Sequence, residues 1–500
     1  MSLTEAATFE PLRLANSYLR LPEACYARVG PTPVTEPRLI RINEALAAEL
    51  GLDAEALASP EGVEALVGNR VPEGLEPLAL AYAGHQFGNF VPQLGDGRAV
   101  LLGEVTDRNG VRRDLQLKGA GRTPFSRQGD GRASMDPVVR EYVVSEGMHG
   151  LGVPTTRALA MVATGDPVLR QRVEPGAVLT RVAASHVRVG TFEYFFRQGD
   201  HATVRALADY VIERHYPELA GSETPYRDLI AAVAERTADL VADWLLVGFI
   251  HGVMNTDNIA ISGETLDYGP CAFMDTYHPA TVFSSIDTGG RYAYEQQPTM
   301  AHWGLARFAE TLMPLLADEP DDALPVAKEA LGAFETRFEA RYHAGLRRKL
   351  GLAEAHEDDP DLAMDLLGRM AANRADFTLT FRRLSELGDE PGSADEGVRA
   401  LFADPEAFDA WAARWRQRLA AEDRGAAERS RAMRAVNPAY IPRNHRVEQA
   451  IEAAMTEGDL GPVDQLLTVL ADPYADHPGY EHLALPPRPE EVVQRTFCGT

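Results

Sequence analysis

The sequence predicts an α+β fold: a sheet-rich part, then a helical part, then a further helical extension. Three observations carry this reading. Between Ala81 and Arg188 the chain is Gly-rich and holds short β-like runs. From His201 onward apolar residues recur at helical spacing. After about Pro314 the composition shifts to Ala, Glu, Asp and Arg, with acidic breaks between helical stretches.

Taken in order, Ala99-Val100-Leu101-Leu102 reads as a buried strand. Leu115-Gln116-Leu117 alternates apolar and polar residues, as a half-buried strand does, and ends at Lys118. Asp136 as N-cap and Pro137 in the first turn predict a helix start, and that helix carries Glu141 and Glu146. Leu229, Val233, Leu240, Trp244 and Val247 predict a long amphipathic helix ending near Phe249. The acidic runs Asp318-Glu319-Pro320-Asp321-Asp322 and Glu357-Asp358-Asp359-Pro360-Asp361 predict loops between helices. The tail from Pro486 to Thr500 is short, begins with proline and is expected to be mobile.

A chain of 500 residues has a soft prior of about three domains. With 45% hydrophobic and 25% charged residues it can bury large cores. Its net charge of −25 argues against a protein that grips nucleic-acid backbone, which needs a basic surface. Three cysteines, Cys25, Cys271 and Cys498, exclude a disulfide scaffold and suit a reducing compartment. The N-terminus lacks a basic segment followed by an apolar stretch, and no run approaches the 18 apolar residues of a membrane span. The expected setting is therefore the cytoplasm, with no membrane partner.

Several short motifs carry chemistry. In Gly95-Asp96-Gly97-Arg98 two glycines precede a strand, where backbone can approach phosphate oxygens and Arg98 adds a planar donor. An ordinary hairpin turn would look the same. Lys118, at a strand end, is placed to reach nucleotide phosphates, as the strand lysine of kinases does. Glu141 is the partner it would meet in the next helix, with Glu146 as the competing choice. The richest segment is His251-Gly252-Val253-Met254-Asn255-Thr256-Asp257-Asn258, followed by Asp267-Tyr268-Gly269. An Asn and an Asp brought together by a strand-loop-strand can hold one Mg²⁺, which takes a few protein oxygens plus phosphate oxygens.

Aligned with the kinase catalytic loop, His251 and Asn258 fall on its His and Asn. The catalytic Asp falls on Val253, which cannot accept a proton. Asp257 is the alternative carboxylate, either as base or as an orienter of the metal. Arginines are also concentrated here: Arg122, Arg127 and Arg132, then Arg181 and Arg188. Gly129-Asp130-Gly131-Arg132 repeats Gly95-Asp96-Gly97-Arg98. In so acidic a chain this local basic density suits a polyphosphate, although glycine turns with solvated arginines would read alike.

These residues, with Tyr82-Ala83-Gly84-His85-Gln86-Phe87-Gly88 and Leu117-Lys118-Gly119, resemble the selenoprotein O family over roughly Leu14 to Arg446 and again in the tail. The resemblance implies a protein-kinase-like two-lobe fold. It divides the chain into an N-terminal extension (1–75), an N-lobe (76–195), a C-lobe (196–320), a helical extension (321–485) and a tail (486–500). It implies transfer of AMP from ATP to Ser, Thr or Tyr hydroxyls of proteins, with the nucleotide flipped relative to kinases. UMP transfer from UTP with Mn²⁺ is a variant of the same activity. It implies ATP contacts at Gly95, Gly97, Arg98, Lys118, Asp130, Gly131, Arg181 and Arg188, Glu141 as partner of Lys118, Mg²⁺ on Asn258 and Asp267, and Asp257 as proton acceptor. Asp267 would also face the nucleotide. The flip would explain why Val253 is tolerated. Family members can use the tail residue matching Cys498 in redox control, which raises a pairing with Cys271. The rival readings are a conventional kinase and a nucleotide-binding pseudokinase scaffold.

Overall fold

The computed structural model describes residues 14–72, 74–170 and 172–496. An antiparallel sheet runs in the order Tyr26–Arg28, Leu78–Leu80, Ala99–Thr106, Arg112–Lys118, Val173–Ala183, Arg157–Leu169 and Arg38–Ile42. The two-residue strand Ala133–Ser134 adds to Val173–Ala183 off that path. The two predicted runs are neighbours in this sheet, with Ala99 opposite Lys118. Lys118 also lies opposite Leu179, and Gln116 opposite Arg181.

Strand alternation sorts these side chains by face. Leu115 and Leu117 join Val178 and Val182 in a core closed by Leu46, Leu50, Val63 and Leu66 of the N-terminal helices. Asp114, Gln116 and Lys118 therefore point to the other face, buried but polar. On that face lies the helix Met135–Gly150. Its Val139, Tyr142 and Val143 pack with Ala177, Leu179 and Met161 of the sheet. This is what sets Glu141 above Lys118.

The helices of the second part share a core built from Val189–Phe196, His201–His215, Pro225–Val247 and Gln297–Leu316. A further core surrounds Trp411 and Trp415. The last two long helices, Asn444–Thr456 and Gly461–Leu470, return to the sheet-rich part. Ala450, Ile451, Leu466 and Leu470 cover the helix that carries Glu141.

Four local expectations are corrected. The helix Met135–Gly150 starts one residue before Asp136, because Ser134 leaves the sheet extended and takes the N-cap position. The long helix is Pro225–Val247. It stops short of Phe249, since Gly248 adopts a left-handed φ of 75° and closes the helix end. The acidic runs are only partly loops. Asp321 and Asp322 fill the first turn of Pro320–Leu331, and Asp359 and Asp361 that of Asp359–Asn373. Carboxylates there favour the positive end of the helix dipole. The tail docks as far as it is described, to Thr496, which is buried and bridges to Ser284.

Candidate nucleotide site

One chain of buried charges joins the sheet to the helical part. Lys118 Nζ meets Glu141 Oε2. Arg181 bonds both Glu141 oxygens, with Nη2 at 3.0 Å from Oε2. The same Nη2 lies 2.5 Å from Asp267 Oδ1, while Arg188 Nη1 takes Asp267 Oδ2. Arg188 also donates to the Asp257 carbonyl at 2.7 Å and stacks 4.7 Å over the Tyr82 ring. Burial opposes the charge on Asp267, but Arg188, Arg181 and Lys118 outweigh it and hold its carboxyl well below the ordinary range. Burial lowers the Lys118 ammonium against the pull of Glu141. Between the two glutamates the structure is clear: Glu146 binds Arg157 instead, at 2.8 Å.

The helix Pro225–Val247 delivers the catalytic-loop segment. After the short strand Phe249–Ile250, Gly252 turns at φ 80°, and Thr256–Asn258 make one 3-10 turn. His251 is buried, and burial keeps its ring below the usual histidine range. Its Nε2 lies 3.0 Å from the Leu266 carbonyl, so it ties this loop to the segment leading to Asp267. Asn258 Nδ2 donates to the Val253 carbonyl at 2.9 Å. Asp267 itself has φ 61°, a left-handed conformation rare for a non-glycine residue and frequent at functional sites.

Asp257 is 7% exposed, and burial pushes its pKa up to about 6 with Arg188 opposing. Its Oδ1 is buried without a hydrogen-bond partner among the described residues. Its Oδ2 accepts from Gln86 at 3.4 Å. A Cβ at Gly84 would stand 2.3 Å from Oδ1, so only glycine leaves that oxygen its place. Two adjacent carboxylates thus have opposite environments. Asp267 is saturated with cations, and Asp257 is held half free.

The first glycine turn lies beside this chain. Gly95 has φ 71°, and a Cβ there would meet Phe125 Cγ at 2.3 Å. A Cβ at Gly97 would stand 3.0 Å from the Phe125 carbonyl. The carbonyl of Arg98 accepts from Gly119 at 2.7 Å, and its charge is close enough to depress Lys118. The second turn is used differently. Asp130 pairs with Arg170 at 2.8 Å, and Gly131 at φ 69° backs against Gly121. Arg132 donates to the Thr32 and Pro33 carbonyls, each at 3.0 Å. Of the five clustered arginines, Arg181 and Arg188 enter the ion chain, whereas Arg132 braces the N-terminal segment.

The sequence reading gave Tyr82, Asp96, Gln86 and Gln116 no role. Asp96 is buried and accepts from Leu80 N at 3.1 Å and from Gln116 at 3.2 Å. The motif Tyr82–Gly88 was the available signal, because it forms the hairpin Gly84–Gln86 and Asn89–Val91 over the catalytic loop. Cys271 is buried, and burial pushes its thiol up to about 12. Thr496 Oγ1 reaches the neighbouring Pro270 carbonyl at 2.6 Å. Cys498 lies outside the described residues.

The donors around Asp267 suit a hard divalent ion. Asn258 and Asp267 offer oxygen only, and the chain has no group of three or more His, Cys, Asp or Glu that would form a metal cage among the described residues. A divalent ion held by so few protein oxygens would take its remaining ligands from water and phosphate oxygens.

Comparison with known proteins fits this geometry. Residues 8–471 match the family described as Protein adenylyltransferase SelO. A relative in Rhodopseudomonas palustris (strain BisB5), named protein nucleotidyltransferase YdiU, is 61% identical over 485 residues, covering 97% of this chain and 98% of the relative. One of the same name in Bradyrhizobium sp. (strain ORS 278) is 62% identical over 486 residues, with the same coverage. The family match and these relatives define a protein nucleotidyltransferase. The chain belongs to the SelO family.

Proposed function

We propose that this protein transfers AMP from ATP to Ser, Thr or Tyr hydroxyls of other proteins, on a two-lobed, protein-kinase-like fold. The lobes would be 76–195 and 196–320, flanked by the extensions and the tail. The observation that supports it most is the contrast between two neighbouring carboxylates. Asp267 is locked ionised by Arg181 and Arg188, whereas Asp257 keeps one oxygen unpartnered and a pKa near 6. Neighbouring titratable groups driven apart by their surroundings mark an acid–base division of labour.

In this reading Gly95, Gly97 and Arg98 cradle phosphates, and Lys118, positioned by Glu141, neutralises them. Asp130 and Gly131 line the far end of the nucleotide. Arg181 and Arg188 orient Asp267 and add positive charge. Asn258 and Asp267 would hold Mg²⁺, which supplies charge neutralisation at the phosphates when bound. Asp257 accepts the proton of the attacking hydroxyl. Positioning and electrostatics do most of the work in such transfers. Val253 is then no defect, since the base stands at Asp257. UTP with Mn²⁺ is the variant substrate pair.

ATP labelled separately on the α- and γ-phosphate tests the proposal, with intact-mass readout in Mg²⁺ and then Mn²⁺. Protein should retain α-label and gain one AMP, and Asp267→Ala should abolish it. Retention of γ-label alone would mean a kinase. Equal background labelling by wild type and Asp267→Ala would mean a nucleotide-binding scaffold.

A further inference from the structure

We infer that Glu193 is a positioning residue for Asp257, acting through Thr256 and His85. The inference rests on Asp257 being the proton acceptor. Glu193 sits on the helix Val189–Phe196 and is 2% exposed. It takes no part in the ion chain of the nucleotide site. Its Oε1 lies 2.5 Å from His85 Nδ1, and its Oε2 accepts the Thr256 hydroxyl. The ring closes because Thr256 Oγ1 accepts the His85 backbone N–H at 2.7 Å. Three elements distant in sequence are thus joined: the hairpin, the helix and the catalytic loop.

The arrangement exceeds what core packing requires. A buried carboxylate is costly unless its oxygens are satisfied, and an apolar residue would pack that position more simply. Here one oxygen holds Thr256, the residue directly before Asp257, and the other holds the ring of His85, whose backbone N–H bonds the same Thr256 hydroxyl. The neighbouring Asn255 is gripped in the same way. Its Oδ1 accepts from Phe87 N at 2.9 Å and from the Tyr292 hydroxyl at 2.7 Å. The His85 ring is fixed in turn, 5.1 Å from Phe90 and 5.3 Å from Trp303. The loop Thr256–Asn258 is a single 3-10 turn and cannot hold its own geometry, so these side chains set it. They fix Asp257 while leaving Oδ1 without a partner. That is the requirement for a carboxylate that must accept a proton from a substrate.

The test compares Glu193→Ala, Glu193→Gln, Thr256→Val and Thr256→Ser in the α-label assay, with binding of a fluorescent ATP analogue and thermal stability measured beside it. Misplacing a catalytic group by about 1 Å costs about 100-fold. Glu193→Ala and Thr256→Val should therefore each lower kcat by roughly that factor. Nucleotide affinity should be unchanged. Thr256→Ser keeps the hydroxyl and should stay close to wild type, whereas Glu193→Gln keeps one acceptor oxygen for two donors and should fall between wild type and Glu193→Ala. The double variant Glu193→Ala/Thr256→Val should be no worse than either single one. The inference fails if Glu193→Ala and Thr256→Val keep wild-type kcat, if their losses multiply in the double variant, or if nucleotide affinity falls in step with kcat. If wild type itself transfers no α-label, it is the functional reading that fails.

Discussion

Single residues in this protein do work that their local sequence does not announce. Lys349 is the sharpest case outside the site. It is 3% exposed, pairs with no carboxylate among the described residues, and lies 4.5 Å over Phe381 and 5.6 Å over Phe377. Burial lowers its pKa from 10.5 to about 7. A depressed lysine pKa opposes folding while the unfolded chain holds the proton more tightly. The penalty is complete below pH 7 and fades as pH rises from 7 towards 10.5. Lys349→Met should therefore stabilise the protein, by about 2 kcal/mol near neutrality. Its advantage in chemical denaturation should be larger at pH 6.5 than at pH 9. An advantage that grows with pH would show that the ammonium is satisfied in the folded state.

At the scale of elements, the hairpin Gly84–Gln86 with Asn89–Val91 and the catalytic loop form one unit. Gly84→Ala puts a methyl group 2.3 Å from Asp257 Oδ1, at a carboxylate held on a tight turn. Either the hairpin lifts or Asp257 turns away. The expected result is a loss of about 100-fold in kcat, with thermal stability lowered by no more than a few degrees. Steady-state AMP transfer and a thermal melt decide it. Wild-type turnover would show that Asp257 is free to relocate. The helix Met135–Gly150 makes the same point. Its start was legible to within two residues, and Glu141 was named as a partner of Lys118. Glu146 stayed an open choice because both carboxylates lie on one helix. Only the packing of Val139, Tyr142 and Val143 on the sheet shows which one turns to Lys118 and which to Arg157.

At the scale of the whole molecule, the C-terminal helices support the helix Met135–Gly150. Ala450, Ile451, Leu466 and Leu470 cover the helix that carries Glu141. Arg443 is buried against Asp275 and Asp376, 2.9 Å from the latter. Fully burying one large apolar side chain contributes about 1.5–3 kcal/mol, against a total stability of about 5–15 kcal/mol. A chain ending at residue 436 loses several such contacts and leaves a buried carboxylate, Asp376, and a half-buried one, Asp275, without their arginine. It should be aggregated, or bind no fluorescent ATP analogue, by sedimentation and titration. A monodisperse truncated protein with wild-type nucleotide affinity would overturn this view. No helix among the described residues is long and apolar enough to cross a membrane.

The sequence by itself determined the order of sheet and helices, the strand ending at Lys118, and the polar turn His251–Asn258 followed by Asp267. These are local patterns, written in periodicity, glycine turns and clustered polar residues. It also named both arginines of the ion chain. Composition and spacing alone did not separate Arg181 and Arg188 from Arg132, and only the family resemblance did, because an arginine reads the same whether it meets Asp267 or a distant backbone carbonyl. The tertiary structure decided that Asp130 pairs with Arg170, that Glu193 and His85 close on Thr256, and that the last helices return to the sheet. Each of these joins residues tens to hundreds of positions apart. Such partners are chosen by which faces the cores bury, and that choice becomes visible only once the chain has packed.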